Sequence, residues 1–153
     1  MEKVVQRKTG AATASQEEAT FLELLRTSDL LSRRLIEVLK TENLSAPHYN
    51  VLRILRGTHE GLSCGDIASR MITRDPDITR LLDRLEKRGL ITRWREARDR
   101  RTVMARIAPE GLRLLARLDG PVQTAHRQQL GHLGRERLRK FCQLLRLARY
   151  QAG

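Results

Sequence analysis

Thr79, Arg80 and Arg84 carry the first recognisable chemistry in this chain of 153 residues. Arg80 and Arg84 are four apart, so in a helix they stack on one side, with Thr79 beside them. A guanidinium fork donates two parallel hydrogen bonds to a guanine edge or a phosphate, and a threonine offers its hydroxyl or methyl to a phosphate or a thymine. Further on, Arg98, Arg100 and Arg101 crowd the segment EARDRR, with Arg95 before it, Arg93 and Arg106 flanking, and only Glu96 and Asp99 opposed. A turn with this charge suits the negative potential of a minor groove. Asp99 can fix one of these arginines by a carboxylate bond and so orient the turn. The plain alternatives are a solvated helix face, on which Asp83 pairs with Lys87, and a merely soluble hairpin.

Holding these groups requires a helix and a hairpin, and the apolar spacing predicts both. Asp75 and Pro76 read as the cap and first position of a helix that buries Ile78, Leu81, Leu82 and Leu85 and ends at Gly89. That stripe leaves Asp77, Thr79, Arg80, Asp83, Arg84 and Lys87 open to a partner. Leu90 to Arg95 and Thr102 to Ile107 read as two strands about the charged turn. Upstream, Ser63 and Asp66 open a short helix with Ile67, Ala68 and Met71 inward. Ser45 caps another, with Pro47 in its first turn and Tyr49, Val51, Leu52, Ile54 and Leu55 apolar, stopping near Gly57. Short helices feeding a cationic hairpin are the plan of a winged helix-turn-helix.

Longer helices flank this centre. Ser15 with Glu18 forms a capping box for a helix to about Thr41, striped by Phe21, Leu24, Leu25, Leu31, Leu35, Val38 and Leu39. Pro109 and Glu110 open another, with Leu112, Leu115, Ala116 and Leu118 as its stripe; Gly120 and Pro121 are expected to kink or interrupt it before it resumes to about Leu130. After a turn from Gly131 to Gly134, a last helix carries Leu138, Phe141, Cys142, Leu145 and Ala148 on one face, with Cys142 expected in the core. A small central domain covers such stripes poorly, and a second copy would bury them, so a homodimer is expected. The fold class is mainly α with a small β-hairpin wing: a loose arm over 1–14, helical dimerisation regions over 15–44 and 109–153, and a DNA-binding region over 45–108.

The totals agree with a nucleic-acid partner. The net charge is +12, from 30 Lys plus Arg against 18 Asp plus Glu, which favours a polyanion. Five aromatic residues, unclustered, offer no stacking platform, which favours duplex over single strands. No apolar run approaches the roughly 18 residues that span a bilayer. Two cysteines, Cys64 and Cys142, make no disulfide framework, so a cytoplasmic setting is expected.

The order of elements, the segment DITRLLDRLEKRGLI and the turn RDRR resemble the MarR family of bacterial transcription regulators, from about Glu18 to the last helix. The resemblance implies an obligate dimer, joined through its first and last helices, on pseudo-palindromic double-stranded operators. By matched position it makes Thr79, Arg80 and Arg84 groove-helix contacts, with Arg100 or Arg101 reaching from the wing beside Arg98 and Asp99 supporting the wing. Many relatives release DNA when a small aromatic or phenolic anion binds between dimer helices and DNA-binding lobe; Arg34, His48 and Tyr49 are the candidate lining here. Two departures stand out. Ile107 and Ala108 replace a common Leu-Thr, which weakens the following cap by roughly 1 kcal/mol. Asp75 and Asp77 at the start of the groove helix repel phosphates unless they accept the helix's free amides or read cytosine amino groups.

The expected function is therefore a sequence-specific transcription regulator, a repressor released by a small-molecule effector. The alternatives are a winged helix used as a protein-interaction module and a redox-responsive regulator using Cys64, which sits in a helix's first turn where the dipole favours thiolate. His48, His59, His126 and His132 have no metal-site spacing, no glycine-rich phosphate loop follows a strand, and no nucleophile pattern is present. Neither metal, cofactor nor catalysis is expected.

Overall fold

The computed structural model describes residues 14–74 and 77–151. They fall into two compact units, one running to Ser32 and the other starting at Arg33. Most of the expected arm, and the expected cap Asp75 with Pro76, lie outside the described residues.

The first unit holds the amino-terminal turns of α1 (Gln16–Lys40). Ser15 Oγ accepts the Glu18 amide at 3.1 Å, so the cap forms where expected. Phe21, Leu22, Leu24, Leu25 and Leu30 stand exposed there.

The second unit continues from the end of α1 through α2 (Ala46–Arg56), β1 (Leu62–Ser63), α3 (Cys64–Arg70), α4 (Ile78–Lys87), β2 (Ile91–Arg95), β3 (Val103–Ile107), α5 (Pro109–Leu130), a 3-10 turn (Gly131–Leu133) and α6 (Gly134–Gln151). The sheet is antiparallel in the order β1-β3-β2, with Ile91 opposite Ile107 and Leu62 opposite Ala105. β1 was not anticipated, because two residues are too few to show an alternation. Leu52 and Leu55 of α2, Ile67 of α3, Leu82 and Leu85 of α4 and Leu115 of α5 meet in one core, each fully buried. Burial of such side chains contributes about 1.5 to 3 kcal/mol each, and it fixes which face α4 turns outward.

Caps set the short helices. Ser45 Oγ accepts the His48 amide at 3.3 Å, and Ser63 Oγ the Asp66 amide at 3.0 Å. The groove helix begins later than expected: α4 starts at Ile78, and Asp77 is its cap, its carboxylate accepting the Arg80 amide at 3.0 Å. Asp77 thus answers free helix amides, one of the two roles left open for it. At the other end Gly89 adopts φ +70, a region open to glycine, and lets the Leu90 amide turn back to the Leu85 carbonyl at 3.0 Å.

The last helices differ from expectation in three ways. The α5 stripe is rotated: Gly111, Leu114, Leu115, Leu118, Val122 and Ala125 are buried, whereas Leu112 is 44% exposed and Ala116 exposed. Gly111 is the reason, since a Cβ there would stand 2.3 Å from the Leu90 carbonyl oxygen; only glycine lets α5 approach the sheet on that face. Secondly, α5 runs through Pro121 without interruption. Proline forfeits one backbone bond, but Leu118, Val122 and Ala125 stay buried on both sides of it, and that burial opposes a break. Thirdly, Cys142 is exposed rather than in a core, and α6 buries none of its described residues.

Ala108 caps α5 in an extended conformation, φ −86 and ψ 162, with no side-chain hydrogen bond, as the missing threonine predicts. Ala108→Ser is therefore expected to raise stability by about 1 kcal/mol in urea unfolding, because its hydroxyl can accept a free amide of the first turn. An unchanged unfolding midpoint would show that the amide is otherwise satisfied.

An ionic hub ties α4 to the corner after α1. Arg88 donates to the carbonyl oxygens of Asn43 at 2.8 Å and Glu42 at 2.9 Å, while the Glu42 carboxylate accepts Arg117 of α5 at 2.9 and 3.1 Å. The Arg117 hydrogen bond holds the Glu42 carboxyl below its ordinary range, against a smaller opposing effect of burial. A lowered carboxyl stabilises the fold above the ordinary glutamate range, and that stabilisation is lost as pH falls through the range to the depressed value. In thermal melts Glu42→Gln should flatten this acid-side fall; superimposable pH profiles for variant and parent would exclude it.

Candidate nucleic-acid interface

α4 presents its polar face because Leu81, Leu82 and Leu85 anchor the other. Thr79, Arg80 and Arg84 are exposed on it. With Asp77 and Leu81, the two arginines border a shallow cavity of about 310 Å³. Among the described residues no carboxylate lies within ion-pair distance of Arg80 or Arg84. Asp83 does not pair with Lys87. It is bonded instead to Arg93 of β2, which also reaches Glu86 at 3.0 Å, so the plain ion-pair reading of this face does not hold.

The hairpin tip is built from its own sequence. The Asp99 carboxylate accepts the Arg101 amide at 3.0 Å and the Thr102 hydroxyl at 3.1 Å. It therefore shapes the turn through backbone and hydroxyl rather than through an arginine side chain, as an acid short enough to bond two residues onward does. Arg95 closes the other side by donating to the Arg100 carbonyl oxygen at 2.7 Å. Arg98, Arg100 and Arg101 stand exposed, again without a carboxylate partner among the described residues.

Arg93, counted above with the wing's cations, turns inward. Its side chain is 20% exposed between Asp83 and Glu86. The bond to Glu86 raises its pKa most, burial opposes that, and Asp83 adds to the rise, so it is a permanent cation locked in an internal network. Arg106 also departs from a free cation: its guanidinium lies over the Trp94 ring, 5.5 Å from the centroid.

Of the three candidate effector residues, Tyr49 borders the cavity between α2 and α5, and Arg34 and His48 are not in its lining. Tyr49 lines an open cavity of about 390 Å³ between α2 and α5, with Arg53, Arg56, Asp119, Val122, Gln123 and His126. Arg53 sits 5.8 Å from the Tyr49 ring centroid, and Arg56 is held by both oxygens of Asp119, at 3.0 and 2.9 Å. Arg34 instead pairs with Glu37 at 2.9 Å and meets Gln128 at 3.5 Å, and His48 bonds Ser45 through Nδ1. Arg53 and His126 were missed because nothing in a sequence relates one turn of α2 to the distant middle of α5.

Cys64 lies at the start of α3 and is half-buried. Burial pushes its pKa up more than Arg93 and the backbone amide pull it down, which opposes the thiolate that a helix start would favour. Among the described residues no group of three or more His, Cys, Asp or Glu could hold a metal ion, and no helix is long and apolar enough to cross a membrane.

Residues 44–103 match the model of the MarR family, a span that takes in both the groove helix and the wing turn. The chain is 40% identical to the MarR transcription factor of Planctomyces limnophilus over 88% of its length and 98% of that structure, with a TM-score of 0.69. It is 27% identical over 108 residues to the homoprotocatechuate degradative operon repressor of Escherichia coli, which covers 71% of this chain and 72% of the relative. Its fold matches that of Bordetella bronchiseptica BpsR, a protein whose DNA binding is regulated by 6-hydroxynicotinic acid, with a TM-score of 0.79 at 20% identity over 89% and 96% of the chains.

Proposed function

Because this chain belongs to the MarR family, a family of DNA-binding transcription regulators, we propose that it acts as a homodimeric repressor of a pseudo-palindromic operator, released by a small aromatic acid. The observation that carries the DNA reading is the set of exposed arginines that have no carboxylate partner among the described residues: Arg80 and Arg84 on α4, and Arg98, Arg100 and Arg101 on the wing. Guanidiniums without internal partners keep their full capacity for guanine edges and phosphates. α4 with Thr79 enters the major groove, and the wing lies along the adjacent minor groove with Asp99 holding its shape. Exposed leucines and Phe21 on α1, and Leu144 and Leu147 on α6, support pairing with a second copy. No catalytic role is assigned.

The effector reading rests on the cavity between α2 and α5. Arg56 is neutralised by Asp119, which leaves Arg53, stacked on Tyr49, as the cation for a carboxylate, with His126 and Gln123 as further donors. A planar ring could share the Tyr49 and Val122 side of the cavity. Occupancy would act by shifting the population of dimers whose two groove helices are spaced for DNA. BpsR, whose DNA binding is regulated by 6-hydroxynicotinic acid, lends this reading support by analogy.

The test is selection of bound duplexes from a random pool, followed by footprinting of the winners. Two protected half-sites about one helical turn apart are expected. A single asymmetric half-site would exclude the dimeric operator. Titration of the complex with small aromatic carboxylates then identifies a releasing compound, to which Arg53→Ala should respond weakly while still binding DNA.

A further inference from the structure

Arg93 occupies an unusual place for a cation in a DNA-binding wing. It belongs to β2, yet its guanidinium nitrogen Nη2 donates to Asp83 and, at 3.0 Å, to Glu86, both on α4. The same Glu86 carboxylate accepts the Arg93 backbone amide at 3.1 Å through its other oxygen. One residue of the wing is thus fastened to the groove helix by side chain and main chain together. Asp83 and Glu86 are three apart and share a side of α4, and Asp83 directly precedes Arg84.

The clamp has a mechanical consequence as well. Helix and wing grip one duplex at two places, so the second contact is effectively intramolecular once the first is made. Its strength depends on how narrowly the joint between them is defined, because a loose joint spends binding energy on ordering. We propose that Arg93 is a positioning residue of the DNA interface: it touches no phosphate, and it locks α4 to β2 so that groove helix and wing meet the duplex as one preorganised body. This role rests on the DNA-binding function proposed above.

Dissociation constants for the selected duplex, measured over a salt series for the dimeric full chain, decide the matter. Arg93→Met is expected to bind at least about tenfold more weakly with an unchanged slope of log K against log salt, since no phosphate contact is lost. Arg93→Lys keeps the charge and one carboxylate bond and should recover part of the affinity. Glu86→Gln, which preserves shape and removes one anchor, should weaken binding in the same direction. Thermal melts run alongside confirm folding; should Arg93→Met fail to fold, Arg93→Lys and Glu86→Gln carry the test, with weakened binding at unchanged slope still required. A slope flattened by about one unit in Arg93→Met or Arg93→Lys would make Arg93 a phosphate ligand and overturn its positioning role. So would folded variants, even with lowered melting points, that bind as tightly as the parent, since that is the mark of a merely structural residue. A parent chain that bound no duplex would overturn the regulator function and this role together, whereas a binding parent with unaffected variants overturns this role alone.

Discussion

Arg84→Ala and Arg80→Ala are each expected to weaken binding to the selected duplex by about 1 to 3 kcal/mol, roughly 5- to 150-fold, and to relax the sequence preference at one or two positions of each half-site. Both side chains are exposed, stand on the outward face of α4 and have no carboxylate partner among the described residues, so alanine removes groove contacts without uncovering a buried charge. Stability should hardly change, because Leu81, Leu82 and Leu85 anchor the helix and the Asp77 cap bonds the Arg80 backbone amide, which alanine retains. The discriminating readout is a competition between operator and mutated operator. A variant that lost affinity equally for every duplex would reassign its arginine from base edge to phosphate.

The second large effect belongs to the wing. Replacing Arg100 and Arg101 together by alanine should flatten the salt slope by about one to two units per protomer and lower affinity at least tenfold near 0.1 M salt, with sequence preference largely kept. The turn itself survives the change, since Asp99 bonds the residue 101 amide and the Thr102 hydroxyl, and Arg95 grips the residue 100 carbonyl; none of these contacts uses the deleted guanidiniums. Asp99→Ala is the complementary case. It deletes no cation, so any loss of affinity there reports turn geometry. An unchanged slope in the arginine double variant would remove the wing from the phosphate-contacting surface.

Much of this site was legible in the sequence, and the reasons are local. The 3.6-residue spacing of Ile78, Leu81, Leu82 and Leu85 determined which α4 residues face outward, and the alternation around EARDRR placed the wing. Ser15, Ser45 and Ser63 marked three helix starts because a cap is a contact between residues three apart. What escaped depended on tertiary approach. The inward turn of Arg93 follows from β2 lying against α4, which the charge count of the hairpin conceals. The rotation of α5 follows from the close contact of Gly111 with the Leu90 carbonyl. Asp77 caps α4 because its carboxylate stands three residues before the Arg80 amide, a contact that the neighbouring acid-proline pair made hard to single out in the sequence. The cavity between α2 and α5 joins residues far apart in the chain, so only Tyr49 of its lining was anticipated.

Groove helix and wing are proposed to grip duplex DNA together, twice over in a symmetric pair. Quantitative footprinting of the selected operator across a salt series tests it most directly. Two equivalent half-sites should be protected at the same protein concentration, with an affinity that falls steeply and linearly on a log-log plot as salt rises. Protection of neither half-site at low ionic strength, or an affinity indifferent to salt, would contradict it.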